Sequence, residues 1–292
     1  MQLIRYISPQ GDEVVVRPDR PPYIFERVRG TGGADTNLVI HTPAGMDGSL
    51  YQTLLYNDRE ITLDLHVEGR DRTDLYAKKL NLIRLCSSGG NRTKPGVLWY
   101  ENNFGRWWIP AVVKQAAEVQ GARVKNFLPM QIIFYCPDPM WRSEVPHIDR
   151  LAYLSGGFKF PLCIKAQSGI KFGSRGYRTV MLNRGDNPAP VELTITGTAL
   201  RPMIKLVETG EYIAINRALE AGDSLHINTT PGAKEVMITT ALGKKVNAMG
   251  YIDPTSTFFL LPTGNSVLEY TSGNDNTTAT VTAKTWSRYG GV

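Results

Sequence analysis

Ile132-Ile133-Phe134-Tyr135-Cys136-Pro137-Asp138-Pro139-Met140-Trp141 lies near the middle of a 292-residue chain, and its reading decides how the rest is divided. Continued back through Leu128 and Met130, the first half is apolar and aromatic enough for a buried strand. Pro137 and Pro139 then end it: each fixes its own φ, removes a backbone N–H and biases the preceding residue, Cys136 or Asp138, away from helix. A Gly-, Pro-, Lys- and Arg-rich segment follows, and then a second series of short alternating strands. The stretch therefore reads as the seam between two β domains, residues 1–140 and 141–292, the second opening with an irregular segment at about 142–190.

The composition, 42% hydrophobic and 21% charged, is that of a folded, soluble chain. No run approaches the roughly 18 apolar residues of a membrane-spanning helix. Met1–Tyr6 passes into polar Ser8-Pro9-Gln10-Gly11-Asp12 without the apolar core of a signal peptide, which predicts synthesis and folding in a cytoplasm. Cys86, Cys136 and Cys163 are too widely spaced for a disulfide framework or a CxxC site and read as reduced core residues. The net charge of +6 is scattered from Arg5 to Arg288 among acidic residues, so it forms no nucleic-acid footprint.

Before the seam, Val14–Val16, Tyr23–Val28 and Leu38–His41 are short β-prone runs. The Gly30-Thr31-Gly32-Gly33 cluster between them lacks the Gly-Lys-Ser/Thr ending of a phosphate loop and reads as a flexible loop. Ile61, Leu63, Leu65 and Val67 alternate with polar residues in the clearest strand, where His66 takes the solvated face. A helix follows, capped by Asp71 or Thr73, with an apolar stripe of Tyr76, Leu80 and Ile83 flanked by Leu75, Ala77, Leu82 and Cys86, and a stop at Ser87-Ser88-Gly89-Gly90. Its stripe should pack on the strand before it. Val97–Tyr100 and Arg106–Val113 form a hairpin across Glu101-Asn102-Asn103-Phe104-Gly105, with Gly105 available for positive φ; Trp99, Tyr100, Trp107 and Trp108 crowd it, a group that reads as core and interface anchors ahead of the alternative, a sugar-stacking platform.

After the seam, strands are expected at Val180–Asn183, Val191–Thr196, Met203–Val207, Tyr212–Ile215, Ser224–Ile227, Val236–Thr239, Phe258–Leu261, Ser266–Tyr270 and Ala279–Trp286. Their spacing of about 8 to 12 residues, with turn signals and no helix between them, predicts an antiparallel sandwich.

No catalytic constellation stands out. His41, His66, His147 and His226 are dispersed, and neither GxSxG nor HExxH occurs. His147 with Asp149 offers two metal ligands where a tetrahedral site needs more. The carboxylate pairs Asp64/Glu68 and Asp253/Glu269 have nothing in sequence to join them. No catalytic residue, metal ligand or cofactor site is assigned.

Several segments resemble, in order, the distal tail proteins of long-tailed bacteriophages. They are Phe134–Trp141, Gly157-Phe158-Lys159-Phe160-Pro161, and Val180–Asn183 leading into Gly185–Gly197. Ile252–Phe259, Leu261–Val267 and Lys284–Gly291 complete the set. The first domain's strand, helix and hairpin look like that family's too, so the resemblance spans nearly the whole chain.

It implies a mainly β fold: an N-terminal split β-barrel-like domain with one α-helix, then a galectin-like antiparallel β-sandwich. It also implies a structural, non-enzymatic virion role. The first domains would close into a homo-hexameric hub ring between the tail tube protein and the tail-tip or tail-associated proteins, while the sandwich projects and carries receptor-binding proteins. Assembly would occur in the bacterial host cytoplasm, without specific nucleic-acid binding or membrane insertion. The alternative is a carbohydrate- or receptor-binding module acting through the sandwich. Tyr76, Lys79, Arg84, Trp107 and Trp108 are the interface candidates. Pro137, Asp138, Pro139, Trp141, Asn183, Gly185 and Asp186 are the structural motif positions.

Overall fold

The computed structural model describes residues 2–87, 93–155, 174–273 and 279–292. Gly157–Pro161, Cys163, Gly169, Gly173, the Ser88-Gly89-Gly90 helix stop and the Asn274-Asp275 turn lie outside them. The chain forms two compact units, Met1–Glu144 with Tyr289–Val292, and Val145–Arg288.

The first unit contains β1 (Leu3–Ile7), β2 (Glu13–Val16), β3 (Tyr23–Arg29), β4 (Thr36–His41), β5 (Leu50–Tyr56), β6 (Arg59–Glu68), α1 (Arg72–Cys86), β7 (Gly96–Asn102), β8 (Gly105–Val119), β9 (Phe127–Cys136) and β10 (Trp141–Ser143). Its main sheet runs β2-β1-β7-β8-β9-β6-β3, with β10 on β8. The ladder does not close into a barrel. Its two edges meet through the single parallel bridge Arg17–Ile24.

Alternation sets the register at the centre. Ile61, Leu63, Leu65 and Val67 of β6 stand opposite Phe134, Ile132, Met130 and Leu128 of β9, all buried. Each such side chain taken from water contributes about 1.5–3 kcal/mol. The helix packs its Leu75, Leu82 and Cys86 into the same core, against β8 and β2 as well as the preceding β6.

The two prolines end β9, but the chain does not leave the unit at Pro139. Met140 and Trp141 are buried, and Trp141 belongs to the first core, so the division falls at Glu144–Val145. The physical reason is Trp141 itself, whose large apolar surface fills that core behind Tyr100, with ring centroids 6.0 Å apart.

The second unit contains β11 (His147–Ser155), β12 (Ser174–Gly176), β13 (Arg178–Asn183), β14 (Val191–Thr196), β15 (Met203–Leu206), β16 (Tyr212–Ala214), β17 (Ser224–Asn228), β18 (Glu235–Thr239), β19 (Lys245–Asn247), β20 (Gly264–Thr271) and β21 (Thr280–Thr285). They form two antiparallel sheets, β12-β11-β21-β14-β17-β18-β19 and β13-β20-β15-β16. One core takes Leu193, Ile195, Leu225, Ile227 and Val281 from the first and Met181, Ile204, Leu206, Leu268 and Tyr270 from the second. That shared core makes the unit a sandwich.

Two expectations fail here. The segment expected to be irregular at about 142–190 contains β11, which pairs along β21 with a bulge between Arg150 and Ala152. Phe258–Leu261 is not a strand: Phe259 and Leu261 are buried, but Leu261 makes only an isolated bridge to Ala189 before Pro262 removes the next donor.

Candidate assembly surface

β4 and β5 pair with each other and with no other described strand. Their register sets Leu38 opposite Leu54, Ile40 opposite Tyr51 and Asn37 opposite Leu55. Because side chains alternate across a strand, covering either face of a two-stranded ribbon would bury part of this set. Neither face is covered by the described residues: Leu38 is 57% exposed, Ile40 55%, Tyr51 64% and Leu55 54%. β4 was legible in Leu38–His41, but β5 was not read. The available signal was the β-prone Leu50–Tyr56 run after a tip whose Gly45 and Gly48 both take positive φ.

The helix begins as expected at Asp71, whose carboxylate accepts from the Asp74 N–H at 2.8 Å. Of its expected apolar stripe only Ile83 packs, half-buried, against the first core. Leu75, Leu82 and Cys86 are buried, whereas Tyr76 is 41% and Leu80 66% exposed. Tyr76 lies between the Arg72 guanidinium and the Lys79 ammonium, each 5.9 Å from its ring centroid. Arg84 is exposed, and its guanidinium donates to Asn81 Oδ1 at 3.2 Å. Tyr76 and Arg84 thus share the outward side of α1, while Lys79 is half-buried, one turn from buried Leu75 and Leu82.

Trp107 and Trp108 do not join them. Trp107 packs edge-on against Tyr289, with centroids 6.5 Å apart. Trp108 donates from Nε1 to the Ser143 carbonyl at 3.0 Å and lies under Arg142, 4.8 Å from its ring. Both are half-buried within the first unit. Gly105 is not in the left-handed region; a Cβ there would lie 3.1 Å from the Trp107 ring, which would have to give by a few tenths of an ångström.

The motif positions hold turns. Asp138 accepts from the Met140 N–H and from Arg142, closing the Pro137–Trp141 turn on itself. Pro139 presents its carbonyl to Arg59 Nε at 2.8 Å. Arg59, 4% exposed, also donates from Nη1 to the Gly30 and Gly32 carbonyls at 2.6 Å and from Nη2 to Gly290. Burial lowers its pKa. It ties the Gly30–Gly33 loop to β6, where a Cβ on Gly30 would meet the Glu60 carbonyl, and Val292 N–H donates to Thr31 at 3.0 Å.

In the second unit, buried Asn183 accepts from the Gly185 N–H and donates to the Asn187 carbonyl at 2.8 Å. Asp186 N–H donates to the Arg288 carbonyl at 3.0 Å.

Three of the four paired carboxylates are engaged in structural contacts. Asp64 is held by Gln131, Arg27 and Arg29, Glu269 by Arg178, and Asp253 by Thr255 and Asn216. Burial alone would raise the Asp64 carboxyl, yet Gln131 and the two arginines bring it below the ordinary carboxylate value. His66 faces Glu26 at 3.1 Å. Burial pushes the Cys86 and Cys136 thiols up to about 12. Among the described residues no group of three or more His, Cys, Asp or Glu could hold a metal, and no helix is long and apolar enough to cross a membrane.

Residues 184–286 match the family model described as the siphovirus-type tail component, C-terminal domain. A comparison with curated protein sequences finds no match. Among solved structures, the chain is similar to the SPP1 Dit protein, described as a paradigm of the hub adsorption apparatus in phages infecting Gram-positive hosts. That likeness has a TM-score of 0.67 at 15% identity over 99% of each chain. It is also similar to a chain of the phage P2 baseplate in its activated conformation with Ca, with a TM-score of 0.59 at 13% identity over 100% of this chain and 99% of that one. At these identities the structural likenesses carry the fold.

Proposed function

We take as premise that the chain belongs to the distal tail protein family of siphovirus-type tails, and we propose that it forms the hub ring at the tip of a phage tail. As a phage tail and baseplate component it is a structural protein of the virion, not an enzyme. In this reading six copies close through their first units, the ring joins the tail tube protein to tail-tip proteins, and the second unit, galectin-like, carries adsorption proteins.

The observation that supports it most is the fold likeness to SPP1 Dit over 99% of both chains, together with the independent family match in the second unit. The uncovered apolar surfaces of the first unit agree with a subunit completed by neighbours. Electron microscopy of the purified protein tests the proposal. Annular particles with sixfold symmetry are expected; a uniform population of monomers or closed dimers at every concentration overturns it.

A further inference from the structure

The β4–β5 hairpin carries apolar side chains on both faces, with nothing among the described residues covering them. A two-stranded ribbon is marginally stable alone in water, so this one needs a partner surface. Its charges define that surface. Residues 35–58 hold Asp35, Asp47 and Asp58 and no Lys or Arg, which puts acids at the base and tip with apolar strands between.

The outward stripe of α1 has the converse layout. Arg72, Tyr76, Leu80 and Arg84 recur at four-residue spacing and are all exposed, an apolar centre between two arginines. The helix as a whole carries Arg72, Lys78, Lys79 and Arg84 against a single acid, Asp74, already paired with Lys78 at 2.7 Å. The apolar stretches are of one scale: Arg72 to Arg84 spans about 18 Å of helix at the usual rise, and β5, the apolar strand lying between the tip and base acids, spans about 20 Å.

We propose that the hairpin of one copy lies along the outer stripe of α1 in a second copy, its acids meeting Arg72 and Arg84 and its Leu and Tyr side chains covering Tyr76 and Leu80. Donor and acceptor are different elements of the same unit, so the contact is heterologous: each copy gives one hairpin and receives one, as a ring requires. The proposal rests on the ring reading above and assigns its interface.

The test uses the full chain with a photo-crosslinking phenylalanine analogue at Tyr51, in a mixture of light and isotopically heavy copies. Digestion and mass spectrometry read the site of attachment, and light scattering reads the mass of the assembly. Mixed-isotope cross-links into residues 72–84 are expected. Leu80→Glu or Leu55→Glu should weaken assembly by about tenfold or more, with unchanged circular dichroism because both side chains are largely exposed. Arg72→Glu with Arg84→Glu should do the same, and raised salt should loosen the wild-type assembly.

If the wild type assembles but both leucine variants assemble equally well and cross-links fall elsewhere, this interface is wrong while the ring stands. A wild type that stays monomeric at the highest attainable concentration and gives no intermolecular cross-link overturns both.

Discussion

Replacing Arg59 by methionine removes a buried guanidinium while keeping its stem, and the structure sets the scale of the loss. Four carbonyls, of Pro139, Gly30, Gly32 and Gly290, lose a charged donor. Hydrogen bonds to charged groups contribute roughly 1.5–3 kcal/mol each, a gross loss of about 6–12 kcal/mol. Against it stands the recovered hydration of an ion that costs several kcal/mol to bury. The net expected is about 3–5 kcal/mol, what remains of the gross loss once that hydration is set against it, since the carbonyls left behind are neutral. With a urea m-value of about 2 kcal/mol/M, the midpoint falls by about 2 M.

Trp99, Trp107, Trp108 and Trp141 lie in the first unit and Trp286 in the second, so fluorescence in a Trp286→Phe background follows the unit concerned. Arg59→Lys should recover only part of the loss, because an ammonium cannot reach four acceptors in the guanidinium's planar fork. In a chain ending at Arg288 the cost of Arg59→Met should shrink by about 1–2 kcal/mol, the share of the Gly290 contact. A midpoint shift below about 0.5 M in the full chain would refute the reasoning, since it would mean the four carbonyls find water as readily as they find Arg59.

Three further outcomes are expected. Asp64→Asn should cost about 1–3 kcal/mol at neutral pH; the depressed carboxyl contributes stability that is present above the ordinary value near 4 and is lost as pH falls through its lower folded value, so the wild-type and variant stability curves should converge in acid. In a Cys163→Ser background, an aromatic disulfide reagent at pH 8 should leave the native protein unlabelled and react twice after denaturation, because burial raises Cys86 and Cys136 to about 12; native labelling within minutes would contradict their burial. Gly185→Ala places a Cβ 1.9 Å from the Arg288 carbonyl oxygen and should destabilise the second unit by about 1–3 kcal/mol or more, read from Trp286; an unchanged midpoint would show that the turn yields freely.

Where one residue type alternates cleanly, the sequence was enough. Ile61 to Val67 and Leu128 to Phe134 declared both their strands and the face each would bury. The capping carboxylate of Asp71 was equally local, a side chain three residues from the N–H it satisfies. β11 was hidden because its bulge between Arg150 and Ala152 breaks the two-residue period that would have announced it. The return of Tyr289–Val292 to the first unit has no pattern at all, since Gly290 and Gly291 offer only backbone. Its one trace is Arg59, a buried cation whose donors are met by carbonyls rather than by a carboxylate.

The remaining misreadings share a different cause. Periodicity put Tyr76 and Leu80 in one core-facing stripe with Ile83, although Tyr76 also stood among the interface candidates, and it is Leu75, Leu82 and Cys86, read as flanking that stripe, that fill the core. The assumption that apolar residues serve the chain's own core also left Leu50–Tyr56 unread, since a strand with no sheet to join and apolar residues on both faces fits no pattern of a self-sufficient domain. A helix with two apolar sides and a ribbon with two apolar faces are anomalies only for a monomer. In a subunit that gives one surface and receives another, the excess apolar positions belong to two cores, its own and one completed by its neighbour, and a period count over a single chain adds the two together. Subtracting the buried set from the periodic set therefore isolates the hairpin and the outer stripe of α1, the two surfaces whose contact the cross-linking experiment reads.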